Sequence, residues 1–137
     1  MDQRVQERTS PLLLAANALV RLHKEHFGRG PTNARAYFAG PDMLVCAMAD
    51  ALLPAERKMT GLGLQEQVRH SRVSFQAACQ EEFISTVEEI VGRQVMAFAS
   101  AIDPDNGVVF ENFLFVADGA ADHHFNGVHD GSPAGSY

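Results

Sequence analysis

The chain has 137 residues, 46% hydrophobic and 20% charged, which is enough for one globular domain with a real core and too few for two independent ones. Its formal charge of -6 argues against a protein that lives on a phosphate backbone, because such binding needs clustered Lys and Arg to release counterions, so no nucleic-acid partner is expected. The widely separated Cys46 and Cys79 form neither a disulfide framework nor a zinc knuckle. With no signal-like start and no apolar run near the roughly 20 residues that cross a bilayer, a soluble cytoplasmic chain is expected.

Residues 1–10 read as an N-terminal extension, residues 11–118 as a single domain and residues 119–137 as a flexible tail. Ser10-Pro11 is a helix start, with a capping hydroxyl followed by a ring whose φ is already set. Leu12, Leu13, Ala16, Leu19, Val20, His23 and Phe27 then follow helical spacing, and Gly28 suits the left-handed closing position. The period shortens towards two over residues 32–39 and 43–49, with Gly40-Pro41-Asp42 between them, which predicts a hairpin. Pro54 then opens a short helix over 55–59 that Gly61 and Gly63 end.

Residues 64–91 place Leu64, Val68, Phe75, Cys79, Phe83, Val87 and Ile90 along one stripe, with Arg69, Arg72 and Gln80 elsewhere, so a long amphipathic helix is predicted. Gly92 ends it. A second hairpin follows over 95–102 and 108–116, around a turn containing Asn106-Gly107. The expected fold is α+β, an antiparallel four-stranded sheet from two hairpins packed against two main helices, in the order α-β-β-α-α-β-β. Gly28-Arg29 and Gly92-Arg93 each close a helix ahead of a hairpin, a weak internal echo that equally fits the general use of Gly as a helix cap.

On the last strand Val108, Phe110, Leu114 and Val116 point one way, and Val109, Phe113 and Phe115 the other. An antiparallel sheet covered by helices on one side normally shows a polar opposite face, so something is expected to cover the second face. A second copy of the chain is the simplest cover, which predicts a homodimer or higher homo-oligomer. The alternative cover is the short helix and tail folding back.

No catalytic residue, metal site or cofactor is assigned from the sequence. His23 and His26, with Glu25 beside them, have the spacing for one metal, yet His23 sits on the apolar stripe and reads as a packed core histidine. Asp122, His123, His124, His129 and Asp130 could chelate a transition metal without a scaffold to preorganise them, which leaves a metal-carrier reading as a third possibility. Arg29, Gly30, Pro31 and Thr32 form the best candidate ligand or partner site, offering a guanidinium, a hydroxyl and backbone amides to an anion such as phosphate, carboxylate or bicarbonate. The negative end of a helix dipole just before that turn opposes anions, so a structural turn or partner contact competes with this reading. Pro54, Glu56 and Arg57, with Lys58, make a charged, exposed short helix that could dock on another protein. Cys46 and Cys79 sit in poor places for a reactive thiolate. Glu81-Glu82 and Glu88-Glu89 diverge around the helix and read as surface.

His26-Phe27-Gly28-Arg29-Gly30-Pro31-Thr32, then Asp42-Met43-Leu44-Val45, then Leu53-Pro54-Ala55-Glu56-Arg57-Lys58, then Asp103-Pro104 with Gly107, resemble in order and spacing a small bacterial family named MpsC, after a sodium-translocating, membrane-potential-generating system. The resemblance spans about residues 12–118. It implies a compact cytoplasmic domain, peripheral to the inner membrane, that serves a membrane ion or inorganic-carbon uptake system as an accessory or regulator, with a membrane transport protein as partner. The second strand departs from the family pattern, lacking the arginine and acidic residue expected in Leu44-Val45-Cys46-Ala47-Met48-Ala49-Asp50-Ala51. The expected function is therefore a non-enzymatic, homo-oligomeric accessory domain, the alternative being a small anion-binding metabolite sensor or enzyme built on the Arg29 to Thr32 turn.

Overall fold

In the computed structural model, which describes residues 10–117, Ser10 Oγ accepts a hydrogen bond from the Leu13 amide at 3.1 Å and opens helix α1, Pro11–Phe27. Apart from Ser10, the expected extension and the tail with its histidines lie outside the described residues. Gly28, at φ 77°, closes α1 in the left-handed conformation that a Cβ would strain. Strand β1, Asn33–Phe38, and strand β2, Met43–Ala49, form the first hairpin, with β1 one residue shorter at each end than its apolar alternation suggests.

Helix α2, Pro54–Gly61, begins at the proline rather than after it, since the ring's fixed φ and absent N–H suit the first helical position. Helix α3, Gln65–Val91, is followed by strand β3, Val95–Asp103, and strand β4, Val108–Phe115. All neighbouring strands are antiparallel, in the order β1-β2-β4-β3, so the two hairpins meet along β2 and β4. The α+β architecture and the element order are those the sequence predicts.

Helices α1 and α3 pack on one side of the sheet, α1 over β1 and α3 over β3, and touch each other. Leu19, Leu22, Leu44, Met48, Phe83, Val87, Phe113 and Phe115 fill the space between. The buried helical faces keep part of the expected stripes, Ala16, Leu19 and His23 on α1 and Val68, Cys79, Phe83 and Val87 on α3, and differ at other positions. On α1 the buried positions include Ala15, Ala18 and Leu22, while Leu12, Leu13 and Val20 are half-buried. On α3 the buried stripe is Val68, Arg72, Gln76, Cys79, Phe83 and Val87, and Phe75 is 39% exposed. Arg72 and Gln76 are counted as polar by their chemistry, yet their buried partners draw them inward.

The other face of the sheet carries Tyr37 from β1, Met43, Val45 and Ala47 from β2, Phe110 and Leu114 from β4, and Ala97, Ala99 and Ala101 from β3. Those residues are half-buried or exposed, and Arg35 and Asn112, with Asn33 and Asp103 at the strand ends, are polar groups of the same face. Helix α2 packs against α3, on the helical side, and does not roof this face.

Candidate functional site

The turn after α1 delivers Arg29 to the connection between β2 and α2. Its guanidinium donates to the Asp50 carbonyl at 3.0 Å, the Leu52 carbonyl at 2.9 Å and Asp50 Oδ2 at 2.8 Å, a fork that only a planar guanidinium can supply. Arg57 donates to the other oxygen, Asp50 Oδ1. Asp50 itself adopts φ 55°, a left-handed conformation rare outside glycine and tolerated best by Asn and Asp. The Arg29 hydrogen bond, with the charges of Arg29 and Arg57, holds the Asp50 carboxyl below its ordinary range.

The rest of the predicted turn is mostly architectural. Gly30 lies where an added Cβ would come within 3.2 Å of Lys24 Cβ, so a side chain there would push on α1. Pro31 is buried. Thr32 is exposed, and its amide donates to the Ala49 carbonyl at 3.3 Å, extending the pairing of β1 with β2.

Glu56 corrects the expectation of an exposed charged helix. It is buried, its Oε1 accepts from the Leu53 amide at 2.8 Å, and the two oxygens receive Arg72 Nε at 2.7 Å and Arg72 Nη2 at 2.6 Å. Burial pushes the Glu56 carboxyl up, and the Arg72 hydrogen bonds, the Leu53 amide and the Arg72 charge outweigh it, so the net movement is downward. Arg72 also donates to the Ala51 carbonyl at 2.7 Å and lies 4.1 Å over the centre of the Phe27 ring. Arg29, Glu56 and Arg57 are thus gathered around one segment, residues 50–57. Pro54 and Arg57 face solvent at its rim.

Deeper in the same side of the molecule lies a group that the sequence reading missed. Glu111, in the middle of β4, is completely buried, with Oε1 3.0 Å from His23 Nε2 and Oε2 3.4 Å from Gln76 Nε2. Its detectable signal is the β4 alternation: Val109, Phe113 and Phe115 define the inner face, and Glu111 falls between them. His23, Arg72, Gln76 and Ser100 help line a cavity of about 20 Å³ beside it, room for a water molecule. His26 turns instead to Glu82, at 2.8 Å, so the two histidines of the H-x-x-H pair serve different carboxylates. Among the described residues no group of three or more potential ligands could hold a metal ion.

The thiols next to Glu111 are quiet. Burial, and then the Glu111 charge, push Cys46 up to about 12. Burial first, then the charges of Glu111 and Glu82, also raise Cys79. Both shifts make the reactive thiolate scarcer at neutral pH.

At the opposite end of the sheet Arg93 mirrors Arg29. It follows a left-handed Gly92 at φ 76° and donates to the Pro41 carbonyl at 2.7 Å, Asp42 Oδ1 at 2.6 Å and the Val116 carbonyl at 3.0 Å. The backbone repeats this relationship, with Ala51 N bonding Gly107 O at 2.9 Å and Phe115 N bonding Asp42 O at 2.8 Å. Each helix-closing arginine therefore holds the chain as it leaves the hairpin that follows its helix, Asp50 and Leu52 for Arg29 and Val116 for Arg93, while the two backbone bonds tie each such exit to the turn of the other hairpin, which gives the Gly-Arg echo a structural basis.

The model of the MpsC family, described as a Na+-translocating membrane potential-generating system, matches residues 15–117. The chain belongs to the MpsC family. Compared with curated proteins and with solved structures, it has no significant match. In this MpsC chain the blocks that carry the resemblance fall on the internal clamps: Arg29 in the first, Asp42 in the second and Glu56 in the third. The family description links the chain to sodium translocation and membrane potential. Among the described residues no helix is long and apolar enough to cross a membrane.

Proposed function

We propose that this MpsC protein is a non-enzymatic, self-associating accessory subunit that serves a sodium-translocating membrane system from the cytoplasmic side. The observation that carries the reading is a sheet face that none of the described residues covers, where Phe110 is 37% exposed amid Val45, Ala47, Ala99, Ala101 and Leu114. An apolar surface of that kind, with the described helices all on the other side of the sheet, favours association, and a second copy is the partner always present. The basic rim of α2, with exposed Arg57 and Lys58 beside Pro54, suits an acidic cytoplasmic segment of a membrane transport protein.

Light scattering on the full chain tests the first part. An oligomer that Phe110→Asp reduces in size is the expected result, and a monomeric wild type sinks the reading. For the second part, Arg57→Glu with Lys58→Glu should abolish co-sedimentation with membranes holding the transport system while leaving oligomer size unchanged. Undiminished co-sedimentation would remove α2 as the docking element.

A further inference from the structure

β1 is an edge strand of six residues, so the N–H and C=O groups along its outer side have no strand beside them among the described residues. Between this strand and α1 runs a groove of about 440 Å³, lined by Leu12, Leu13 and Ala16 of the helix and by Ala34 and Ala36 of the strand. Alanines supply much of that lining, which leaves room for larger apolar side chains to enter. The other edge offers no such room: the cavity between α3 and β3 is about 20 Å³, with Arg72 and Gln76 among its walls.

The charged residue of the groove is Arg35, exposed on β1. Among the described residues it has no hydrogen bond or ion pair, and its neighbours on the sheet face, Asn33, Tyr37, Val45 and Ala47, include no carboxylate. α1 opens beside the same groove with no acidic residue in its first turn, so the positive end of its dipole adds to the guanidinium. In a chain of formal charge -6 this edge is a basic spot, and it calls for an acidic partner.

A strand added to a sheet edge makes main-chain hydrogen bonds along it and sends alternate side chains to the two faces. On β1 one set would enter the groove, against Leu12, Leu13, Ala34 and Ala36, and the other would lie beside Arg35 and Tyr37, which is 52% exposed. A second β1 is a poor occupant, because antiparallel pairing about a two-fold axis at the middle of so short a strand sets one Arg35 against the other. We infer that this edge takes up an extended peptide of another protein, apolar at alternate positions and acidic between them, as a fifth strand of the sheet. The edge lies two strands away from Phe110 and apart from α2, so the inference depends on neither contact proposed above.

Fluorescence anisotropy on the full chain tests this with a capped peptide of about eight residues alternating leucine and glutamate, long enough to span the strand, and with its leucine-lysine counterpart. The glutamate peptide should bind and the lysine peptide should not. Arg35→Glu should weaken the glutamate peptide about fivefold or more and reverse the preference, and Arg35→Gln serves where the reversal lowers the helical circular dichroism. Hydrogen exchange places the peptide: amides of β1 should slow when it is added, while those of β3 stay as they were. Arg57→Glu with Lys58→Glu should bind it as wild type does. No binding, equal binding of the two peptides, Arg35 variants with unchanged affinity, protection at β3 in place of β1, or loss of binding in the α2 variant overturns the inference. None of these outcomes alters the oligomer size that tests self-association.

Discussion

His23 Nε2 and Glu111 Oε1 meet at 3.0 Å with neither residue open to solvent, joining the middle of α1 to the middle of β4 across 88 positions of sequence. The pair, with Gln76 beside it, is the polar centre of the layer between the helices and the sheet. It fixes how α1 seats on the sheet, because a carboxylate at that depth needs its donor where the helix puts it.

Removing one partner should cost more than removing both. His23→Leu leaves a fully buried carboxylate without its main donor, an expected loss of about 3–5 kcal/mol, while replacing both residues of such a pair by apolar ones is often near neutral. Urea unfolding should therefore show His23→Leu/Glu111→Leu more stable than His23→Leu alone. Additive losses would mean that the two side chains act independently.

Acid should loosen the α2 corner through Asp50 and Glu56, both held below their ordinary values. A depressed carboxyl stabilises the fold fully above its unfolded pKa, about 4, and that contribution is lost as pH falls through the lower folded value. The melting temperature should fall on going below about pH 4, where the unfolded chain binds the proton first. Glu56→Gln should flatten that dependence. A Glu56→Gln protein as acid-sensitive as wild type would place the effect elsewhere.

The element order and both helix ends are legible in the sequence because they rest on local rules: Ser10 and Pro11 at a start, Gly28 and Gly92 at the stops, and alternation in β2 and β4. What escapes is polar and long-range. Arg72 counts as surface on α3, and Gln76 attracts no reading, until Glu56 and Glu111, 16 and 35 residues away, are known to lie beneath them. Glu56 likewise joins a charged run in sequence and a buried pair in space. The predicted site shares the same limit: Arg29 is identifiable as a special arginine, but two of its three acceptors, the Asp50 and Leu52 carbonyls, are backbone groups that no residue pattern announces.

Arg29→Lys should test whether the fork or the charge holds that corner. An ammonium keeps the charge beside Asp50 but cannot reach two carbonyls and a carboxylate with the fixed geometry of a guanidinium. Amides of residues 50–53 should exchange faster in Arg29→Lys than in wild type, with exchange in β4 unchanged. Identical exchange in both proteins would show that charge alone suffices.

Cys46 offers a probe of the core without mutation. Its thiol is fully buried and pushed up to about 12, so the thiolate that reacts with disulfide reagents or iodoacetamide is scarce at neutral pH and sealed behind β2 and the helices. Cys79 shares the direction for the same first reason, burial, and its sulfur also donates to the Phe75 carbonyl at 3.2 Å. In the native protein at pH 7 both should label far more slowly than a free thiol, and both should label rapidly in denaturant. Because access then requires opening of the core, His23→Leu, which weakens the helix-to-sheet contact, should speed Cys46 labelling in proportion to its loss of stability. Labelling of Cys46 at a rate indifferent to that substitution would show that the thiol is reached by a local route instead.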